Sequence, residues 1–201
     1  MKRALFLDRD GVLDELVYYP SHDEWESPRA LEDLVLIEHV SEPLRRFVDA
    51  GWLLFIVTNQ PSFAKGKTSR EDLQSVHDAV VASLDVPIAR SYLCFHHPDA
   101  IVDELRIKCE CRKPGTKSLR DAAAEFGVDL ASSWMVGDQD SDLKCGRAAG
   151  CKVALIESRG SASKRGNVEP DLRVRDLGEL ASVILSREDD EGPPADARQS
   201  R

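Results

Sequence analysis

The stretch FLDRDGVLDE, Phe6 to Glu15, places two carboxylates one residue apart directly after a short apolar run. That run, residues 3–8, is too short for a helix and is typical of a buried strand. In an extended segment residues i and i+2 share a face, so we expect Asp8 and Asp10 to point the same way. Two like charges this close are costly unless a cation or a shared proton separates them. Mg²⁺ meets this need, because it accepts carboxylate oxygens and keeps positions for water and phosphate.

Further strand-like runs follow along the chain, with helix-like stretches between most of them. The strand-like runs cover residues 52–59, 91–95, 133–138 and 151–157, and the helical patterns cover residues 41–51, 69–84, 116–127 and 140–150. This alternation predicts an α/β fold with a mostly parallel central sheet covered by helices on both faces. We expect one domain over residues 1–186, a mobile surface loop at residues 159–167, and a disordered charged tail at residues 187–201.

Composition and charge exclude several classes of partner. The 201 residues carry a formal net charge of -9, so no basic field is available to hold nucleic acid or an anionic membrane surface. No apolar run approaches the roughly 20 residues that span a bilayer, and charges interrupt the N-terminal segment where a signal peptide is apolar. We therefore expect a cytoplasmic monomer that takes a small molecule as its partner.

A second acidic group, GDQDSD at residues 137–142, also stands where a strand-like run gives way to a helix. Asp138 ends the predicted strand, and Asp142 follows one helical turn later on the same side. Helix capping and interaction with the helix dipole are the alternative explanation, and they need no metal.

Polar side chains at two further positions favour a phosphate site over capping alone. Thr58 and Asn59 end one predicted strand, and Arg112 with Lys113 lies in the segment CRKPG. A hydroxyl, an amide and two cations are the donors that a phosphate dianion needs. In parallel sheets ligands collect at the carboxyl ends of the strands, so we expect these groups to converge there.

The ordered segments DRDGV, VTNQ, RKPG and GDQDSD resemble the four motifs of the haloacid dehalogenase-like phosphatase superfamily and span most of the chain. The resemblance implies a three-layer Rossmann-like fold. It also implies that Asp8 is the nucleophile that forms an aspartyl-phosphate, and that Asp10 is the general acid and base. Thr58 and Lys113 match the residues that hold the transferred phosphoryl oxygens.

The same resemblance implies a catalytic magnesium site. Its ligands are the Asp8 carboxylate, the main-chain carbonyl of Asp10 and the Asp138 carboxylate. Asp142 is expected to contact these ligands rather than the metal. Phosphate monoester hydrolysis is among the slowest uncatalysed reactions, so a positioned nucleophile and dense positive charge are both required.

Cysteine and histidine cluster in the segments CFHHP and CECRKP. Cys94, His96, Cys109 and Cys111 supply three thiolates and one imidazole, which satisfy tetrahedral Zn²⁺ and leave no open position, as in structural sites. A loop with incidental reduced thiols is the alternative. A zinc-binding interaction module without enzymatic activity would account for the cysteines, but not for the carboxylates and Lys113.

The cluster resembles the zinc-bearing subgroup of this superfamily, which lacks a large cap domain. Its members hydrolyse D-glycero-D-manno-heptose 1,7-bisphosphate at position 7, or histidinol phosphate. We expect the first of these activities, with histidinol phosphate or another small sugar phosphate as alternatives. Two loops, residues 16–25 and 60–67, should face the leaving group, and we also assign Asp14 and Glu15 to the part that reads the substrate. The expected substrate-binding residues are Tyr19, Asn59, Gln60, Lys65 and Arg112, with Trp25 as a candidate for the rim.

Overall fold

A computed structural model describes residues 1–191 and contains, within them, a six-stranded parallel sheet and a separate two-stranded hairpin. The strands are β1 Ala4–Leu7, β2 Val17–Tyr19, β3 Glu24–Glu26, β4 Leu53–Asn59, β5 Arg90–Cys94, β6 Trp134–Gly137, β7 Lys152–Ile156 and β8 Leu172–Val174. The sheet order is β5-β4-β1-β6-β7-β8, and β2 pairs antiparallel with β3. The strand that precedes Asp8 is therefore one of the two central strands.

Helices cover both faces of the sheet, as the sequence predicts. They are α1 Ser41–Asp49, α2 Arg70–Ser83, α3 Lys117–Phe126, α4 Asp140–Ala149 and α5 Leu177–Glu191. Along β1, Leu5 and Leu7 belong to one apolar cluster, while Ala4 and Phe6 belong to the other. This alternation follows from the two-residue period of a strand, and full burial on both faces identifies β1 as a core strand. The three-layer α/β fold is confirmed.

The structure adds elements that the sequence did not reveal. The hairpin β2–β3, the edge strand β8 and the helix α5 were not predicted. Strands of three residues are too short to show a period, and β8 lies at the sheet edge, where one neighbour suffices. None of the helices within residues 1–191 is long and apolar enough to cross a membrane.

Two predicted segments need correction. Residues 159–164, assigned to a mobile loop, form a 3-10 helix in which Gly160 and Ser161 are buried. The predicted tail starts at residue 187, but α5 continues to Glu191, because adding residues to an existing helix costs little. The rest of the predicted tail, residues 192–201, lies outside the described residues.

The fold brings the chemically important segments to one edge. Asp8 follows β1, Asp138 follows β6, Thr58 and Asn59 end β4, and Cys94 ends β5. Because these strands are parallel and adjacent, their carboxyl ends meet at the same edge of the sheet.

Candidate active site

Asp8 and Lys113 form a buried ion pair at the carboxyl end of β1. The Asp8 backbone N–H donates to the carbonyl of Val136 at 2.8 Å, which fixes the residue against β6. The Lys113 ammonium lies 2.8 Å from Asp8 Oδ1 and 2.7 Å from Asp142 Oδ1, and it donates to the carbonyl of Val57 at 2.7 Å. Burial alone would lower the pKa of Lys113, but Asp142 and Asp8 raise it above its usual value, so the side chain stays charged.

Asp138 lies beside this pair and is a buried carboxylate without a cationic partner of its own in the described residues. Its side chain is 0% exposed, it forms no ion pair within residues 1–191, and the neutral donors of Ser161 and Gln139 offset its burial only in part. Burial and the charge of Asp142 raise the pKa of Asp138 to about 7. Burial likewise raises the pKa of Asp8 well above its usual value, and Lys113 opposes that shift only in part.

A divalent cation fits this group of carboxylates. Asp8, Asp138 and Asp142 each offer an oxygen, and these oxygens lie within 4.8 Å of one another. Carboxylate oxygens are the ligands that Mg²⁺ prefers, and a cation here would relieve the unpaired buried charge. Asp142, which the sequence analysis assigned a supporting role, is thus itself a candidate ligand. It also accepts the N–H of Gln139 at 3.1 Å, so the capping alternative holds for this residue as well.

Gly11 explains why the motif ends in glycine. Its φ is +83°, a left-handed conformation, and a Cβ atom built there would lie 2.2 Å from Oδ2 of Asp138. Any side chain at this position would therefore collide with a candidate metal ligand.

The carboxylate of Asp10 is held at both oxygens. Oδ1 accepts from Arg9, at 2.6 Å from Nη2 and 3.2 Å from Nε. Oδ2 accepts from Gln60 Nε2 at 2.7 Å and from Thr58 Oγ1 at 3.2 Å. Gln60 was expected to bind substrate, but it is completely buried and contacts Asp10 instead. Thr58 was expected to hold phosphoryl oxygens, yet its hydroxyl also faces Asp10.

Asn59 holds the main chain of Lys113. Its Oδ1 accepts from the Lys113 backbone N–H at 3.0 Å, and its Nδ2 donates to the Lys113 carbonyl at 3.1 Å. Asn59 does line the cavity, but the sequence did not predict that its amide would clamp the lysine loop to the end of β4.

Cys94, His96, Cys109 and Cys111 converge at the end of β5. Five of the six separations between ligand atoms run from 3.1 Å, between Cys111 Sγ and Cys109 Sγ, to 3.8 Å, between Cys94 Sγ and His96 Nδ1. Tetrahedral ligands of zinc lie roughly 3.5–3.8 Å apart, given metal bonds of about 2.0–2.3 Å. The cysteines are free thiols, and the four ligand atoms lie within 4.8 Å of one another. This donor set fits one Zn²⁺ ion.

A cavity of about 450 Å³ opens above Asp8 and Asp10. Lys65, Arg112 and Trp25 all line it. Lys164 also lines the cavity, although its segment was assigned to a mobile loop, and its Nζ donates to the Trp25 carbonyl at 3.1 Å.

Three residues that were expected to contact the substrate do not line this cavity. The Tyr19 hydroxyl donates to Asp33 at 2.6 Å and its ring packs under the Arg29 guanidinium, so it does not line the cavity. Asp14 is completely buried, 3.5 Å from Arg9. Glu15 lines a different cavity, together with Gly11 and Val12.

Arg9 is the functional candidate that the sequence analysis missed. It stands between Asp8 and Asp10, and a surface position is usual for arginine, yet here it is completely buried. The one available signal was its place between two acidic residues at the end of a core strand.

Comparisons with known proteins agree with this geometry. A family model described as HAD-hydrolase-like matches residues 110–180. The chain is 33% identical over 188 residues to the D-glycero-beta-D-manno-heptose-1,7-bisphosphate 7-phosphatase of Haemophilus ducreyi, an alignment that covers 91% of this chain and 98% of that protein. It is 34% identical over 161 residues to the D-glycero-alpha-D-manno-heptose-1,7-bisphosphate 7-phosphatase of Photorhabdus laumondii, covering 79% and 84% of the two chains.

Similarity extends to a solved structure. The D,D-heptose 1,7-bisphosphate phosphatase from B. bronchiseptica, crystallised with magnesium and phosphate, superposes with a TM-score of 0.75 at 26% identity. The superposition covers 92% of this chain and 99% of that one.

Proposed function

Because this chain belongs to the haloacid dehalogenase-like phosphatases and is a phosphoric monoester hydrolase, we propose that it removes the 7-phosphate of D-glycero-D-manno-heptose 1,7-bisphosphate. The similarity to heptose bisphosphatases over most of the chain supports this substrate. Relatives named for the beta and the alpha anomer match at similar identity, so the choice of anomer is left to the experiment.

One observation carries the proposed mechanism: the Asp8 carboxylate, buried at the cavity floor, is held 2.8 Å from a charged Lys113. In the first step Asp8 attacks phosphorus and forms an aspartyl-phosphate, which divides one difficult displacement into two easier ones. Lys113 orients Asp8 and opposes the rise in its pKa that burial causes, and its charge offsets the negative charge on the transferred group.

Asp10 serves both steps as the proton carrier. Its protonated carboxyl gives a proton to the leaving sugar oxygen, and its carboxylate then takes one from the water that attacks the aspartyl-phosphate. Asp10 lines the same cavity as Asp8, which supports assigning both functions to one substrate position. Thr58 and Gln60 assist by holding Oδ2 of Asp10.

We propose two metal sites. Asp8, Asp138 and Asp142 would hold Mg²⁺, with the Asp10 carbonyl as a further ligand, since the buried carboxylate of Asp138 forms no ion pair within residues 1–191. When bound, Mg²⁺ neutralises negative charge on the phosphoryl oxygens. Cys94, His96, Cys109 and Cys111 would hold a structural Zn²⁺ that fixes the loop preceding Arg112 and Lys113.

The second phosphate of the substrate would meet Lys65 and Arg112. Both line the cavity, and Arg112 also donates to the carbonyl of His96 at 3.4 Å, which ties it to the zinc cluster. We further propose that the enzyme acts as a monomer in the cytoplasm, where reduced thiols persist to bind zinc.

The test is phosphate release with Mg²⁺, measured side by side on both heptose 1,7-bisphosphate anomers and on histidinol phosphate. We expect kcat/KM for one heptose anomer to exceed that for histidinol phosphate by at least about 100-fold. Asp8→Asn should abolish release, whereas the exposed Asp121→Asn should leave it unchanged. A preference for histidinol phosphate overturns the substrate, and no release from any sugar phosphate overturns the enzymatic proposal.

A further inference from the structure

Arg9 occupies an unusual place for a charged side chain. It stands between two residues that line the cavity, yet it is 0% exposed and takes no part in the lining. A buried guanidinium is costly to desolvate unless its hydrogen bonds are well formed. What Arg9 contacts therefore indicates what it does.

The main contact of Arg9 is one oxygen of Asp10. Two donors, Nη2 at 2.6 Å and Nε at 3.2 Å, reach Oδ1. The other oxygen, Oδ2, receives only neutral donors, from Gln60 at 2.7 Å and Thr58 at 3.2 Å. The two oxygens of Asp10 are thus unequal, since one faces a cation and the other faces groups that carry no charge.

Arg9 is itself held in place. Its Nε lies 3.5 Å from Oδ2 of the buried Asp14. Its carbonyl accepts from the backbone N–H groups of Leu13 at 2.7 Å and Val12 at 3.1 Å, which closes the turn after β1. Nη1 has no hydrogen-bond partner within residues 1–191, so Nε and Nη2 make the contacts of the guanidinium. With its main chain fixed by the turn and its Nε beside Asp14, the side chain can hold Asp10 in one orientation through both chemical steps.

We propose that Arg9 is a positioning residue for Asp10, holding Oδ1 so that Oδ2 is the oxygen that exchanges protons with the substrate. This rests on the proposed function. Before this step Oδ2 carries the proton on one lone pair and keeps the Gln60 hydrogen bond on the other, since the Thr58 hydroxyl can rotate away. As the bond from phosphorus to the sugar oxygen breaks, its electron pair stays on that oxygen, which takes the proton from Oδ2. As water then attacks the aspartyl-phosphate, Oδ2 takes a proton from the water, and the electron pair of the broken bond returns to Asp8.

Leaving-group dependence tests this role. A sugar alkoxide needs a proton as it leaves, whereas p-nitrophenolate does not, so a misplaced acid slows only the first. We expect Arg9→Met to lower the single-turnover cleavage rate of the sugar phosphate by about 100-fold, and the first release of p-nitrophenolate by less than about 3-fold. Arg9→Lys, which keeps the charge but loses the forked donors, should fall between the wild type and Arg9→Met.

The control separates this effect from lost stability. Val80→Ala removes buried methyl groups of α2 without touching Asp10 and should destabilise the fold while keeping the wild-type ratio of the two rates. If Arg9→Met does not fold, Arg9→Lys supplies the same comparison. Equal losses on both substrates, or no loss on either, overturn the role of Arg9 in an enzyme that is otherwise active. A wild-type protein that hydrolyses neither substrate overturns the proposed function, and this role with it.

Discussion

The ammonium nitrogen of Lys113 lies 2.8 Å from Oδ1 of Asp8, and both side chains are almost completely buried. Lys113 also lies 2.7 Å from Asp142, so a single cation balances part of a three-carboxylate group. Asn59 fixes the loop that carries it, and the cysteine cluster, with the proposed zinc bound, would hold the residues just before it. The position of one lysine therefore depends on two separate parts of the fold.

Removing that cation should disable the enzyme. In Lys113→Met the carboxylates of Asp8 and Asp142 lose their shared partner, and we expect kcat to fall by about 10³-fold or more at saturating Mg²⁺. Lys117→Met is the matched control, because Lys117 is exposed and pairs only with Asp121 in the described residues. Wild-type kcat in Lys113→Met would contradict the assigned role.

Substitution of Asn59 distinguishes positioning from substrate binding. Both of its hydrogen bonds go to the main chain of Lys113, so Asn59→Ala should lower kcat by about 10-fold and change KM by less than about 2-fold. The exposed Asn167→Ala should change neither constant. A raised KM with unchanged kcat would instead restore the original prediction that Asn59 binds the substrate.

Loss of a zinc ligand should act on both stability and activity. We expect the wild type to contain one zinc per chain, and Cys109→Ser to lose it. Its Tm and kcat should both fall, because the same loop continues from the ligand Cys111 directly into Arg112 and Lys113. Cys151→Ala serves as the control, since Cys151 is buried outside the cluster and should retain zinc. Metal analysis and thermal unfolding with and without a chelator measure this. If wild-type protein is active but contains no zinc, the proposed zinc site is wrong.

The sequence predicts most of the site because the site lies where strands end. Strand periodicity places Asp8, Thr58 and Asp138 at one edge of the sheet, and the parallel topology brings them together. The two-residue period predicts the direction of a side chain only within a strand. Beyond Leu7 the chain turns, so the inward direction of Arg9 and Asp14 depends on the turn rather than on alternation.

The substrate-facing predictions were weaker for a related reason. Tyr19 turns away from the cavity because Asp33 and Arg29 bind it, and these partners come from an irregular segment with no apolar period. Gln60 was expected in the cavity because it follows Asn59, but one residue beyond the strand its side chain reaches back to Asp10. Contacts formed by loops depend on tertiary packing that short-range patterns do not encode.

A buried histidine should make stability depend on pH. Burial, and then the charge of Arg9, lower the pKa of His77 from 6.5 to about 4, and its Nδ1 has no hydrogen-bond partner within residues 1–191. As pH falls, the unfolded chain takes up a proton on His77 at a higher pH than the folded chain does. The unfolding free energy that neutral His77 contributes is therefore present above pH 6.5 and is lost as pH falls towards 4. Between pH 7 and pH 5 the wild type should lose up to about 2 kcal/mol more unfolding free energy than His77→Gln. Urea unfolding of both proteins measures the difference, and parallel pH profiles would contradict the prediction.

Two glycines with the same backbone conformation allow the contact with Asp138 to be tested apart from backbone strain. Gly11 and Gly51 have φ of +83° and +81°, but a Cβ at Gly11 would lie 2.2 Å from Asp138 Oδ2, whereas a Cβ at Gly51 would meet nothing within 4 Å. Both alanine variants should lose about 1 kcal/mol of stability from the left-handed conformation. Only Gly11→Ala should also displace the Asp138 carboxylate, so we expect it to weaken Mg²⁺ activation and lower kcat by at least about 100-fold, while Gly51→Ala keeps wild-type activity. Titration of activity against Mg²⁺ measures both, and equal activity in the two variants would show that the close approach of Gly11 to Asp138 has no part in the metal site.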